Sequence, residues 1–265
     1  MVVKMRQAAI ILKLWKASMM QAMEYRGSFA FSIVANFFDF IFGFLQYMVF
    51  FTAAQSIAGW NSDQMLVLYG VFMLVFALQF IFLYPNLVAM GDMVNSGNLD
   101  LLLTKPVNAQ LILSFRRISF EELGSISTAL VLLGWLALKG VIQLTLQSVA
   151  LFLVSILASM LLIYCLFLLL MCLAVFLERL DNMAQLMWSM FSLCRYPVDV
   201  YPSRLRFMFF SFLPVAYIAS VPAAALLGTA SAGQIMTGMI IALTATFATT
   251  LLWRRTIRAY TSAGG

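Results

Sequence analysis

Histidine is absent from this 265-residue sequence, and charged residues are scarce. Without histidine, the chain cannot build a histidine-ligated zinc hydrolase or a Ser-His-Asp triad. The charged fraction is 10%, whereas soluble domains contain about a quarter. The sequence also has no G-x-x-x-x-G-K-S/T motif, so we do not expect it to hold ATP in a P-loop or to hydrolyse ATP by itself. These shortages argue against an enzyme and against a soluble domain.

Cysteine is the next scarce residue type. The three cysteines, Cys165, Cys172 and Cys194, lie in apolar surroundings and lack metal-ligand spacing. We therefore expect no disulfide framework, no metal site and no cofactor.

Hydrophobic residues dominate what is present. They make up 64% of the chain, and the mean hydropathy is +0.99, which is typical of an integral membrane protein. The length allows about six spans of roughly 20 residues each. A net charge of +6 would suggest nucleic acid in a soluble protein, but the cytoplasmic ends of membrane spans collect Lys and Arg. The lipid bilayer is therefore an expected partner, and nucleic acid is not.

The pattern predicts an all-α polytopic membrane protein that begins with an amphipathic helix at residues 2–25. At about 100° per residue, one face of this helix is apolar and the opposite face is basic, so we expect it to lie in the membrane interface. Packing on protein is the alternative. Lys13 and Lys16 interrupt any early apolar core, so a cleavable signal peptide is not expected. The apolar face carries Ile11, Trp15, Met19 and Ala22.

Six spans and two other segments follow this helix. Proline and charged residues between 197 and 230 do not suit one straight lipid-facing helix, so we expect a re-entrant hairpin there on the outer side; an extra pair of spans is the alternative. Residues 85–122 form the longest polar interruption. The expected spans are 28–52, 65–84, 123–138, 144–177, 183–197 and 234–253.

The distribution of positive charge predicts that both termini are cytoplasmic, because cytoplasmic segments carry an excess of Lys and Arg. With six spans, this orientation also places residues 85–122 in the cytoplasm. Twelve basic residues would then be cytoplasmic, namely Lys4, Arg6, Lys13, Lys16, Arg26, Lys105, Arg116, Arg117, Arg179, Arg254, Arg255 and Arg258. Four would be outside, namely Lys139, Arg195, Arg204 and Arg206.

Within residues 85–122, the stretch 97–106 predicts a short helix. Gly97 suits the left-handed conformation that ends the preceding helix. Asn98 is then expected to cap the next one, with Asp100 near its positive end. Pro106 prevents its continuation, and Asn108 is expected to cap a further helix.

The leucines of this short helix can face in two directions. Leu101, Leu102 and Leu103 either pack back on the spans or enter a groove on a partner protein. The residues alone favour neither alternative.

Three polar residues lie inside expected spans. Asp39 is the one carboxylate well inside a span, and a buried charge is costly unless paired, so it is a candidate for the translocation path. A structural pair with Gln79 or with an interfacial Arg is the alternative. Gln46 and Gln79 are further candidates for the path, although contacts between helices are their commoner role.

Several motifs together resemble the ABC-2 type transporter permeases. The stretch Gly97-x-Leu-Asp-x-Leu-Leu-x-x-Pro106-Val resembles the loop between the second and third spans of the six-span bacterial members that are encoded apart from their ATPase. Further similar motifs, in matching order, are Tyr25-Arg26, Pro85-Asn-Leu, Tyr196-Pro-x-x-x-Tyr-Pro202 with Leu213-Pro214, and Arg254-Arg255 with Tyr260 and Gly264-Gly265.

The resemblance implies a dimeric permease in the bacterial inner membrane, with a second permease subunit of the same or a related sequence. A separate cytoplasmic ATP-binding subunit would dock on residues 85–122, and the substrate would be an exported amphipathic or lipid-like molecule. A secondary transporter or channel using Asp39 is the main alternative, and a membrane scaffold is a third. The implied ATPase-coupling residues are Gly97, Leu99, Asp100, Leu102, Leu103, Pro106 and Val107.

Overall fold

The computed structural model describes residues 2–176, 183–211 and 214–259, and their regular structure is helical. The predicted all-α class is therefore confirmed for these residues. Residue 177 of the fourth expected span, Arg179, Leu213 and the C-terminal motif at residues 260–265 lie outside them. The described α-helices are α1 (Val2–Glu24), α2 (Arg26–Ala53), α3 (Ser62–Phe82), α4 (Tyr84–Asn95), α5 (Asn98–Leu103), α6 (Ala109–Phe115), α7 (Leu123–Leu138), α8 (Leu146–Phe176), α9 (Met183–Leu193), α10 (Ser203–Ser211), α11 (Ser220–Leu226) and α12 (Ala232–Ala259).

Four of the described helices, α2, α3, α8 and α12, are long and apolar enough to cross a membrane. The segments Ser203–Ser211 and Val215–Leu226 form a fifth candidate span if taken together, bent by 73°. Helix α7 is apolar but has 16 residues, and α9 has 11, whereas a span needs roughly 20. The chain is a multi-pass membrane protein with four or five candidate spans, and the expected six spans and re-entrant hairpin stay predictions.

Local signals explain where several helices begin and end. Asn61 and Gln64 form a capping box, in which each side chain accepts a hydrogen bond from the other residue's backbone N–H (2.9 and 3.0 Å). This pair fixes the start of α3 at Ser62. Gly140 follows α7 with φ +76°, a conformation that glycine adopts at little cost.

Helix α3 occupies the centre of the fold. Val67, Leu68 and Val71 are fully buried, and α3 packs against α2, α7, α8 and α11. The close contact with α7 depends on Gly70, since a β-carbon there would lie 2.9 Å from Leu133. The core therefore forms around α3 rather than around the first span.

Helices α8 and α12 form a second closely packed pair, with α11 beside α8. Buried Ser159 donates a hydrogen bond of 2.8 Å to the carbonyl oxygen of Tyr217. A β-carbon at Gly238 would lie 2.4 Å from the ring of the same tyrosine. Small residues on α8 and α12 thus let the chain around Tyr217 pack closely between them.

Candidate functional site

The segment from α4 to α6 contains the short helix that the sequence predicts. Gly97 has φ +69°, which confirms the left-handed conformation. The expected cap at Asn98 is wrong, because Gly97 is the N-cap and Asn98 is already the first helical residue. Since the Asn98 side chain is one position too late to cap, its Nδ2 instead donates to Ser96 Oγ at 2.7 Å.

The end of α5 and the start of α6 follow the sequence signals. The backbone N–H of Lys105 donates to Leu102 O (3.2 Å), and the helix ends before Pro106. Val107 N–H then donates to Lys105 O at 2.7 Å. The expected cap at Asn108 is confirmed, since its Oδ1 accepts from Leu111 N at 3.3 Å.

The leucines of α5 face in different directions. Leu99 is fully buried in the core of its own chain, and Leu102 and Leu103 are half-buried against that core. Leu101 is 63% exposed. Leu99 therefore anchors α5 to the rest of the chain, and Leu101 is the leucine of α5 with most exposed surface.

Helix α6 connects α5 to the long helices. Gln110 Nε2 donates to Tyr164 Oη on α8 (3.1 Å) and to Thr250 Oγ1 on α12 (3.2 Å). Ser114 lies 3.2 Å from the same tyrosine hydroxyl. At the other end of the helix, Trp15 Nε1 on α1 donates to Phe115 O at 2.7 Å. A displacement of α6 would therefore reach α1, α8 and α12.

Asn86 holds the two ends of the loop together. Its Nδ2 donates to Phe82 O and Arg117 O, and its Oδ1 accepts from Arg117 N, each at 2.8 Å. The side chain is 1% exposed, so these bonds satisfy a buried amide. Asn86 lies in the Pro85-Asn-Leu motif, and its position explains why an amide is needed there.

A groove of about 510 Å³, the α2 groove, contains two of the three predicted path residues. Asp39 and Gln46 line it from α2. Aromatic side chains of α3 and Trp188 of α9 also line it, and Glu122 and Arg195 add further charge. The groove is therefore amphipathic.

Asp39 has neither of the partners considered for it. Its carboxylate forms no ion pair within 4 Å in the part of the chain that the structure describes. The side-chain atoms of Gln79 have no hydrogen-bond partner among the described residues, so Gln79 does not pair with Asp39. Gln46 Nε2 donates to Tyr196 Oη at 3.3 Å. The carboxylate of Asp39 thus lines a groove that also contains Arg195, but it forms no ion pair within 4 Å among the described residues.

Gln79 lies away from this groove. It is fully buried and is not among the residues that line the groove. The structure therefore separates Gln79 from Asp39 and Gln46, which both line the groove. The buried amide of Gln79 also lacks a hydrogen-bond partner among the described residues, which costs about 1–3 kcal/mol.

Glu122 lies in the α2 groove just before α7. Burial raises the pKa of Glu122 above 4.5; the hydrogen bond from Ser125 opposes this shift, and the charges of Glu121 and Asp39 add to it. Ser125 Oγ donates to Glu122 Oε2 at 2.8 Å. This end of the groove is acidic and partly desolvated.

Leu101 and Asn86 are candidate functional residues that the predicted coupling set does not contain, although Leu101 is one of the three leucines considered for docking. A helical wheel contains the signal for Leu101, since residues two apart point about 200° away from each other. Once Leu99 is anchored in the core, Leu101 must face outward. No comparable signal exists for Asn86, whose partner Arg117 is 31 positions away.

Together, the described helices are those of a multi-pass membrane protein. A family model described as ABC-2 family transporter protein matches residues 37–264, so the chain belongs to the ABC-2 transporter family. Neither curated proteins nor solved structures gave a match. Members of this family are membrane transport components rather than catalysts, which agrees with the missing P-loop.

Proposed function

We propose that this chain is the permease subunit of an ABC exporter and that a separate ATP-binding subunit docks on α5. The observation that carries the proposal is the division of α5 into two faces. Leu99 is buried in the permease, and Leu101 is exposed. An amphipathic helix of this kind can transmit force, because one face is fixed to the chain and the other is free to bind a groove on a partner.

The coupling route leads from α5 through α6 to the long helices. Gly97 and Pro106 bound the docking helix, with Asp100 in its first turn and Val107 leading to α6. Gln110 then joins α6 to Tyr164 and Thr250. Closure of the ATP-binding subunits would displace α5 and α6 together, and α8 and α12 would move with them.

The functional unit in this proposal is a dimer of permeases with two ATP-binding subunits. Helix α2 supports it because much of its apolar surface is uncovered within one chain. Phe31 is 74% exposed and Phe42 is 67% exposed. Lipid or a second permease subunit must cover such a surface.

The proposed location is the bacterial inner membrane, with both termini and the α4–α6 segment in the cytoplasm. The excess of basic residues on that side, twelve against four with six spans, supports the orientation. It places α5 where a soluble ATP-binding subunit can reach it.

The proposed cargo is an amphipathic or lipid-like molecule that moves outward. The α2 groove supports this choice, because aromatic side chains of α3 and polar side chains of α2 line it together. Asp39 and Gln46 would contact the polar part of the cargo. Gln79 lies away from the groove, so its place in the path rests on its polarity within an apolar helix alone.

Purification and transport together test the proposal. The tagged chain, extracted in mild detergent, should co-purify with an ATP-binding subunit. Reconstituted vesicles containing both should move substrate only with hydrolysable ATP. A preparation of the active transporter that contains no ATPase would contradict the proposal.

A secondary transporter or channel is the second candidate, and the unpaired carboxylate of Asp39 favours it. This alternative predicts that Asp39→Asn abolishes transport, whereas Leu102→Asp and Pro106→Ala have no effect. The permease proposal predicts that changes in α5 uncouple transport from ATP. A membrane scaffold without transport activity would show no flux in either case.

A further inference from the structure

We propose that the groove between α1 and α5, the α1–α5 groove, binds the phosphate headgroup of an acidic phospholipid from the cytoplasmic leaflet. The ligand class is an anionic phosphodiester with acyl chains. The inference goes beyond docking of the ATPase and rests on the proposed function only for the cytoplasmic placement of the loop.

The groove is large enough for a headgroup and the first part of its chains. Its volume is about 500 Å³, and helices α1, α4, α5 and α6 contribute to its walls. Ile10 and Leu14 of α1 and Leu102 of α5 are among its apolar lining residues. The hydrogen bond from Trp15 to Phe115 O holds α1 beside the end of α6. The groove therefore has apolar walls next to the helix that we expect to lie in the membrane interface.

Positive charge gathers at this groove. Lys105, Arg116 and Arg117 line it, against one carboxylate, Asp92. None of the three cations lies within 4 Å of a carboxylate in residues that the structure describes. The excess of two positive charges complements a phosphodiester, since the described residues that line the groove compensate only part of the charge.

Arg116 is the residue best placed to bind the phosphate. It is half-buried, and its Nη1 lies 2.8 Å from Met93 Sδ, a weak acceptor. Burial lowers the pKa of Arg116, and the neighbouring charge of Arg117 acts in the same direction. A guanidinium in such surroundings gains most from a bidentate oxyanion, which both compensates the charge and satisfies the donors.

The groove fits a lipid better than a soluble anion or an acidic protein segment. A soluble phosphate would use the cations but not the apolar side chains of Ile10 and Leu14. An acidic segment of a partner protein would likewise use the cations but would leave the apolar side chains of Ile10 and Leu14 without a partner. A lipid headgroup enters from the interface, where its chains meet apolar side chains and its phosphate meets basic ones.

The test measures lipid binding to the purified full chain in neutral detergent at physiological salt. Short-chain phosphatidylglycerol is titrated, and bound lipid is counted by native mass spectrometry. Arg116→Gln should weaken binding by about tenfold or more, because charge-assisted hydrogen bonds are lost. Lys105→Gln should weaken it less, and this exposed residue can change without affecting folding. Short-chain phosphatidylcholine, which has no net charge, should bind the native chain more weakly than phosphatidylglycerol.

Arg254→Gln provides the matched control. This arginine is exposed and does not line the groove, but its loss removes the same charge. We expect it to change the affinity by less than about twofold, since salt screens distant charges. Equal effects of Arg116→Gln and Arg254→Gln would show non-specific attraction and overturn the proposal.

Two further outcomes would also overturn it. If inorganic phosphate binds as tightly as phosphatidylglycerol, the groove is an anion site and not a lipid site. If Arg116→Gln leaves lipid affinity unchanged but releases the ATP-binding subunit, the groove binds an acidic segment of that subunit. Failure of the ATPase proposal would look different, because lipid binding is measured without any partner.

Discussion

Helices α2 and α3 are neighbours and both are candidate spans, but their surroundings are opposite. In the most apolar 18-residue stretch, 6% of α2 and 67% of α3 is buried within the chain. Similar composition therefore serves two purposes. The buried surface of α3 holds the fold together, whereas the open surface of α2 requires lipid or a second subunit.

The same contrast occurs on a smaller scale in α5. Leu99 belongs to the core and Leu101 to the surface, although both are leucines of one six-residue helix. Substitutions at buried positions should change stability, and substitutions at exposed positions should change assembly.

The largest effect on stability is expected for Leu99→Ala. Removing a fully buried leucine should lower the free energy of unfolding by about 2–5 kcal/mol, because it leaves a cavity. Thermal denaturation in detergent and hydrogen exchange across α5 measure this loss. Leu101→Ala is the matched control and should change stability by no more than about 0.5 kcal/mol. Equal losses would show that α5 does not have a buried and an exposed face.

A pair of glycines on α2 should give effects of opposite sign. A β-carbon at Gly43 would lie 2.1 Å from Tyr69 Oη, whereas nothing lies within 4 Å of one at Gly27. Gly43→Ala should therefore cost about 1–3 kcal/mol through overpacking. Gly27→Ala should add up to about 1 kcal/mol through helix propensity. Denaturation midpoints of the two variants check this, and a stabilised Gly43→Ala would disprove the close contact between α2 and α3.

The smallest effect concerns Glu122 and pH. Its pKa is raised in the folded state, so the native chain retains a proton that the unfolded chain releases, and stability should fall as pH rises above 4.5. Glu122→Gln should remove this part of the pH dependence. Ser125→Ala should enlarge it, because the hydrogen bond that favours the charged form is lost. The denaturation midpoints of the native chain and of both variants are measured between about pH 4.5 and pH 8. The same pH dependence in all three proteins would contradict a raised pKa for Glu122.

Local features of the fold could be predicted from the sequence because their causes are local. Apolar runs indicate long helices, and Gly97 and Asn108 act on their immediate neighbours. Asn98 shows the limit of this reasoning, since a shift of one residue at the helix start removed its capping role.

Features that depend on distant partners could not be predicted in the same way. Gln79 was predicted to line the path with Asp39 because both are polar residues in apolar helices. In the structure Gln79 is fully buried and does not line the α2 groove. Arg195, which follows α9, also lines that groove. This placement could not be predicted, because Arg195 is distant in sequence from the lining residues of α2 and α3. The orientation of Leu99 became clear only once the core beneath α5 was known.

The docking role of α5 is tested most directly by the affinity between the purified permease and its ATP-binding subunit, measured for Leu101→Asp. Because Leu101 lies on the face proposed for docking, a carboxylate there should weaken the complex by about tenfold or more and leave the melting temperature of the permease unchanged. Leu111→Asp, at a leucine of α6 that is 37% exposed, adds the same charge outside the docking helix and should have a much smaller effect. An unchanged affinity for Leu101→Asp would contradict the claim that α5 couples this permease to ATP hydrolysis.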